Sequence, residues 1–335
     1  MRKKKVFALI LWMLVGLLFW WAWRDISLPQ VWDALSRLSP LSLGTLLLVN
    51  GAIVLLFSSR WWLIVRALGY KVPFLALAKY RLASFGLGYF APGPHFGGEP
   101  LQVYFLHKKH RVPTETALAS VSLDKLLEML ANFTFLSLAI LIVVWKGLFF
   151  QEMTGMVVGF SAGMAILLLI YIFALWMGKT PLARIFGWIP PNERWQASLR
   201  AFRQMLLDAE SQIGIFCRQQ PRILFQSSLL SALKWISLLG EYALALRFLG
   251  LETSLVNVLA IVVFARLAFL TPLPGGLGAL EAGQVMAMQS LGFDPVFGVS
   301  MSFFIRVRDT LFALFGLWIG SVGSRKKNFT EKNYV

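Results

Sequence analysis

Nine ionisable residues stand inside apolar runs of this 335-residue chain: Asp124, Lys125, Glu128, Lys234, Glu241, Arg266, Arg306, Arg308 and Asp309. A charged side chain facing lipid at mid-membrane costs about 2.5–3.5 kcal/mol on insertion scales, so these groups must face inward and pair. Helical spacing puts Lys125, Glu128 and Asn132 on one face, and Arg306 and Asp309 on another. Lys234 and Glu241, two turns apart, share a side. The basic members have the chemistry to hold a phosphate, and the carboxylates to carry protons or act as general bases.

Two further carboxylates sit in stretches that no continuous helix can cross. Gly86 to Glu99 (GLGYFAPGPHFGGE) contains five glycines and two prolines. Thr271 to Glu281 (TPLPGGLGALE) repeats the order of proline, paired glycines and glutamate. Proline removes a backbone donor and clashes with the preceding turn. Broken backbone at membrane depth is tolerated only inside protein or beside a water-filled cavity. One such break in each half of an apolar chain points to a transporter's binding site. Pro94, His95, Gly97, Gly98 and Glu99 from the first break, and Pro274, Gly275, Gly276, Gly278 and Glu281 from the second, are therefore expected to line a polar cavity. They join Asp124, Lys125, Glu128, Lys234, Glu241, Arg266, Arg306 and Asp309 there. Glu99 is followed 25 residues later by Asp124, as Glu281 is by Arg306.

His95 has the chemistry of a proton carrier or phosphate contact, but it also reads simply as a residue between glycines bonded to backbone. His95, Glu99 and His107 do not form a metal-binding HExxH helix, so no metal is expected. Neither glycine stretch lies in a βαβ unit and GxxxxGK[ST] is absent, so no nucleotide cofactor is expected. No GxSxG elbow stands out.

The elements that must position these residues follow from composition. Hydrophobic residues make up 58% of the chain and charged residues 14%, against about a quarter charged in soluble domains. The implied class is an all-α, polytopic membrane bundle with two broken, re-entrant hairpins and an inverted repeat. The net charge of +16 is not a nucleic-acid signal, because the basic residues cluster between apolar runs as the positive-inside rule requires. With a single cysteine, Cys217, no disulfide framework forms within the chain.

The expected segments of this single transmembrane domain are 6–23, 41–65, a re-entrant 82–106, 117–145, 155–177, an interfacial or cytosolic helix at 195–218, 222–249, a broken hairpin at 256–291, and 297–322. The first is read as an anchor rather than a signal peptide, being tryptophan-rich without a small-residue cleavage site. Arg60, beside Trp61 and Trp62, is expected to snorkel to the interface. Arg66 to Arg111 carries seven Lys or Arg, so both ends of the first hairpin should be cytoplasmic. Both termini are basic and should also be cytoplasmic. The two hairpins then enter from opposite faces, as inverted repeats would.

The motif residues carry a resemblance as well. Pro92-Gly93-Pro94-His95-Phe96-Gly97-Gly98-Glu99, Asp124-Lys125-Leu126-Leu127-Glu128, Pro274-Gly275-Gly276-Leu277-Gly278 with Glu281, and the late Arg306 together resemble the lysylphosphatidylglycerol synthase transmembrane family. The family's first motif is usually Pro-Gly-Arg-x-Gly-Glu; here His95 replaces the arginine and two residues are added. Its Glu-Arg-x-x-Asp becomes Asp124-Lys125-x-x-Glu128, with the signs of charge kept. The resemblance implies movement of a lipid between leaflets of the cytoplasmic (inner) membrane. Its implied partners are membrane lipids of the anionic phospholipid or polyprenyl-phosphate type, and an envelope-biosynthesis enzyme. Because the chain stops soon after its last span, the family's lysyltransferase activity is expected to be absent. Two other readings stay open: an intramembrane enzyme with Glu99 or Glu128 as base, and an accessory subunit that docks a glycosyltransferase through the 195–218 helix.

Overall fold

The computed structural model describes residues 28–90, 97–147, 151–188, 196–271 and 273–325, together with Met13 and Trp20. The span expected at 6–23 lies almost wholly outside the described residues, as do Pro94 and His95. Among the described residues the secondary structure is entirely helical. In order these are α1 (Leu28–Ser36), α2 (Pro40–Ala67), α3 (Phe74–Phe90), α4 (Glu99–His110), α5 (Thr114–Trp145) and α6 (Gln151–Trp176). They continue with α7 (Pro181–Phe186), α8 (Gln196–Gln219), α9 (Pro221–Phe248), α10 (Leu255–Phe269), α11 (Ala279–Ser290) and α12 (Pro295–Arg325).

Four helices, over Pro40–Ala67, Thr114–Trp145, Gly155–Trp176 and Pro221–Phe248, are long and apolar enough to cross a membrane. The last helix, α12, has 31 residues, about 46 Å at 1.5 Å per residue. It carries Arg306, Arg308 and Asp309 along its middle.

The short helices form the two hairpins. In the first, Tyr80 of α3 stacks on Phe105 of α4 with ring centroids 4.6 Å apart. One turn further along, the Gln102 amide donates to the Ser84 hydroxyl at 2.9 Å. Rising numbers on α3 thus meet falling numbers on α4, and the pair is antiparallel. At 17 and 12 residues these helices reach only about 26 and 18 Å, short of a hydrocarbon core of about 30 Å. The second hairpin is built alike: the Gln284 amide of α11 donates to the Ile261 carbonyl of α10 at 3.1 Å. A side chain at Gly283 would press on the Phe264 carbonyl and Ala268.

The hairpins enter from opposite ends. The open end of the first packs with the C-terminal end of α2, where Trp61, Val65, Val72, Leu77, Leu106 and Val112 share a core. The second opens toward the other end, where Val285 of α11 meets Val31 of α1 and Val299 of α12. Their tips touch: the Tyr89 ring, at the end of α3, lies over Gly275.

Helix α12 holds both tips in place, and small residues are why it can come so close. A Cβ at Gly316 would collide with the Leu82 carbonyl, and one at Gly86 with the Ala313 carbonyl. Gly316-Leu317-Trp318-Ile319-Gly320 is a GxxxG stripe of the kind that lets membrane helices approach backbone to backbone.

Helix α8 covers the end of the bundle at which the first hairpin opens. Ala209, Ile213, Phe216 and Cys217 bury against Ile64, Leu123, Leu127 and Leu175. Glu210 fixes its position, accepting from the Tyr171 hydroxyl at 2.7 Å and from the backbone of Leu182 and Ala183 at 3.0 Å. Burial pushes the Cys217 thiol up to about 11.

Candidate functional site

Each hairpin presents a carboxylate in the first turn of its returning helix, Glu99 in α4 and Glu281 in α11. The unsatisfied N–H groups of a helix start favour a negative charge there. Each carboxylate is then met by a cation from the next long helix. Lys125 Nζ of α5 stands 2.9 Å from Glu99 Oε1. Arg306 of α12 grips Glu281 through two contacts, with Nη2 to Oε2 at 2.7 Å and Nε against Oε1. The 25-residue offset that aligns Asp124 with Arg306 is not the structural match. Lys125, one residue on, pairs with Glu99, while Asp124 points toward α2 and α3.

There Asp124 receives two arginines. Arg60 Nε donates to Oδ1 at 2.7 Å and Arg81 Nη2 contacts Oδ2. Arg60 also donates to the Ser231 hydroxyl at 2.9 Å. Its residue exposure is 1%, so the expected snorkelling is corrected. An acid across the helix interface satisfies the guanidinium where it lies, and the side chain has no need to reach the headgroups. Arg81, which reads in the sequence as part of a basic loop, is likewise buried.

Glu128 joins this cluster to its open side. Lys125 lies 3.6 Å away, Lys234 3.7 Å and Arg60 3.9 Å. Glu99, Lys125, Glu128 and Lys234 keep 18–25% of their side-chain surface, whereas Arg60, Arg81 and Asp124 keep 2–6%. The network is thus sealed at one edge and accessible at the other. Phe57 lies at the junction, with Arg81 4.0 Å and Lys234 4.2 Å from its ring centre; a π face attracts cations.

Lys234 and Glu241 share a side of α9 but enter different networks. Glu241 is fully buried, meeting Arg308 of α12 and accepting from the Asn50 amide at 3.0 Å. Arg308 also pairs with its neighbour Asp309 at 2.9 Å. Arg266, in the last turn of α10, stands apart. Among the described residues it makes no ion pair, and its buried Nε has no hydrogen-bond partner. The guanidinium instead lies 4.9 Å over the Trp235 ring, which is itself stacked on Phe135 at 3.9 Å.

At the second break Gly275, Gly276 and Gly278 all have positive φ, 54°, 64° and 76°, a region a side chain resists. Arg306 ties the turn down, with Nη1 donating to the Gly275 carbonyl and Nη2 to that of Gly276, each at 3.1 Å. Pro274 begins this short 3-10 turn. In the first break the Gly97 N–H donates to Glu99 at 3.0 Å, and Gly98 packs on the Ser84 backbone.

Several participants were not singled out from sequence: Arg60, Arg81, Asn50, Phe57, Tyr89, Ser231 and Trp235. A lone arginine inside an apolar run is a readable signal, and Arg60 carries it; Arg81, two residues after Lys79, does not. Nothing in the local pattern marks Asn50 or Ser231. His107 and His110 close the hairpin's open end, His107 Nδ1 lying 3.0 Å from the Val112 carbonyl and His110 Nε2 3.0 Å from the Tyr80 hydroxyl.

Opposed hairpins inside an all-helical bundle, with inward ion networks at their tips, define a polytopic helical membrane protein. The family model described as the lysylphosphatidylglycerol synthase TM region matches residues 6–316, and the chain belongs to that family. It is similar to a UPF0104 membrane protein of Methanothermobacter thermautotrophicus, 26% identical over 278 residues, which cover 79% of this chain and 80% of the relative. A UPF0104 membrane protein of Pyrococcus horikoshii is 23% identical over 316 residues, 91% of this chain and 92% of its own. No solved structure matches.

Proposed function

We propose that this protein moves the headgroup of an anionic lipid, of the phospholipid or polyprenyl-phosphate type, between the leaflets of a cytoplasmic membrane. Both termini face the cytoplasm in this reading. The observation that carries it is a surplus of positive charge at the hairpin tips. Seven cations (Arg60, Arg81, Lys125, Lys234, Arg266, Arg306 and Arg308) face six carboxylates (Glu99, Asp124, Glu128, Glu241, Glu281 and Asp309), and the cation without an ion pair among the described residues is Arg266. An uncompensated charge at this depth is costly; a phosphate passing the accessible edge at Lys125 and Lys234 would offset it. The acyl chains stay in lipid while the headgroup follows the polar groups.

Leaflet exchange in liposomes tests the proposal. Labelled phosphatidylglycerol should exchange faster in the presence of the protein than in empty vesicles, and faster than labelled phosphatidylcholine. Equal rates with and without protein, across several anionic headgroups, would overturn it. The same assay read by mass spectrometry separates transport from catalysis, since an enzyme using Glu99 as base changes the lipid's mass. The accessory-subunit reading is weakened by the C-terminal half of α8, where Ala209, Ile213, Phe216 and Cys217 are already buried within the chain.

A further inference from the structure

A second feature lies away from the hairpin tips, at the end of the bundle where α3 begins, α4 ends and α12 finishes. A cleft of about 250 Å³ opens there, with Lys79 and Lys109 on its walls, the stacked Tyr80 and Phe105 rings at its base, and Ile319 and Gly320 of α12 opposite. None of its lining residues is acidic. Lys79 is exposed, and Lys71, Lys108 and Arg111 stand nearby in sequence on the same end of the hairpin. The Tyr80 hydroxyl is held by His110 at 3.0 Å, which fixes the ring that forms the base.

From this we infer a binding site for the phosphate of an anionic glycerophospholipid, held between the Lys79 and Lys109 ammonium groups. The dimensions suit such a guest. At about 30 Å³ per water the cleft has room for roughly eight waters, enough for a phosphate with its glycerol and too little for two acyl chains. The chains have somewhere to go, because the flanking outer surface is apolar: Leu75 of α3 is 67% exposed and Trp318 of α12 is 61% exposed. Basic side chains beside an apolar, lipid-facing surface are the chemistry that recognises an anionic leaflet. A Cβ at Gly320 would press on the Ala83 side chain, so glycine there lets α12 lie close against α3 behind the cleft.

This site is independent of the transport reading, and the test separates the two. The full-length protein is placed in phosphatidylcholine nanodiscs containing a minor fraction of a diazirine-bearing phosphatidylglycerol, and the crosslinked peptides are mapped by mass spectrometry. Labelling is expected on the α3 and α12 segments that line the cleft. In the double variant Lys79→Gln/Lys109→Gln it should fall roughly 30-fold, on the scale set by two basic contacts to an anionic surface. The control variant Lys71→Gln/Lys108→Gln, at the same end of the bundle but off the cleft, should fall far less. Glu99→Gln should leave cleft labelling unchanged, whatever it does to leaflet exchange. Equal labelling by a diazirine-bearing phosphatidylcholine, or an equal drop in the two double variants, would reduce the feature to a diffuse surface charge and overturn the site.

Discussion

The two hairpins are the same device at two settings. In each, a carboxylate at the start of the returning helix is met by a cation from the following long helix. In the second hairpin the acid is 4% exposed, and Arg306 holds it through both oxygens while also binding two carbonyls of the glycine turn. In the first, Glu99 and Lys125 are 25% and 24% exposed and share one close contact, and Lys125 is also drawn to Glu128. The second is a fixed brace. The first has the spare accessibility and competing partners that a passing anion needs. Under the proposed function, similar residues at matching places divide the work between holding the bundle together and handling a guest.

That division orders the expected effects. Arg306→Leu should be the most damaging, since it leaves Glu281 buried without its partner and frees the Gly275 and Gly276 carbonyls. A broken buried pair costs about 3–5 kcal/mol, which a fluorescence-detected melting curve in detergent would show as a large loss of thermal stability. Adding Glu281→Leu should recover much of the loss; no recovery would mean that the arginine braces the turn chiefly through its backbone contacts. Next comes Gly316→Leu, which forces α12 away from the Leu82 carbonyl. Overpacking of this kind typically costs about 1–3 kcal/mol, and Tyr89 should lose its seat on Gly275. A variant that melts like the wild type would contradict the close approach of α3 and α12.

Glu99→Gln should disturb the fold much less, by about 1 kcal/mol or under, because a partly exposed pair contributes little. The smallest effect is expected at Cys217. With its thiol pushed up to about 11, little thiolate is present at neutral pH, so maleimide labelling should be slow and should quicken about tenfold per pH unit between 8 and 10. That quiet background makes Glu99→Cys and Glu281→Cys a direct comparison of the two breaks. Position 99 should label readily and position 281 only on unfolding, as the rate of modification in intact liposomes will show.

Much of this arrangement was legible in the chain. Proline beside paired glycines marked both breaks, and charge inside apolar runs marked most of the ion-paired residues. Periodicity placed Lys125 with Glu128 correctly, since that contact lies within one helix. It could not say that Lys234 and Glu241 part company, because the partners that separate them, Glu128 and Arg308, belong to other helices. Local pattern fails at Arg60 and Arg81 for the same reason: the acid that both of them meet, Asp124, lies 64 and 43 residues away. The contact of α3 with α12 rests on Gly86 and Gly316, and a glycine's spacing does not name the backbone it will meet.

The most direct measurement is leaflet exchange of labelled phosphatidylglycerol by Glu99→Gln and Lys125→Gln, each normalised to folded protein from its melting curve. Exchange should fall at least tenfold in both variants while their melting temperatures stay within a few degrees of the wild type. Exchange at the wild-type rate in both, with the fold intact, would contradict the assignment of the first hairpin as the place where the headgroup passes.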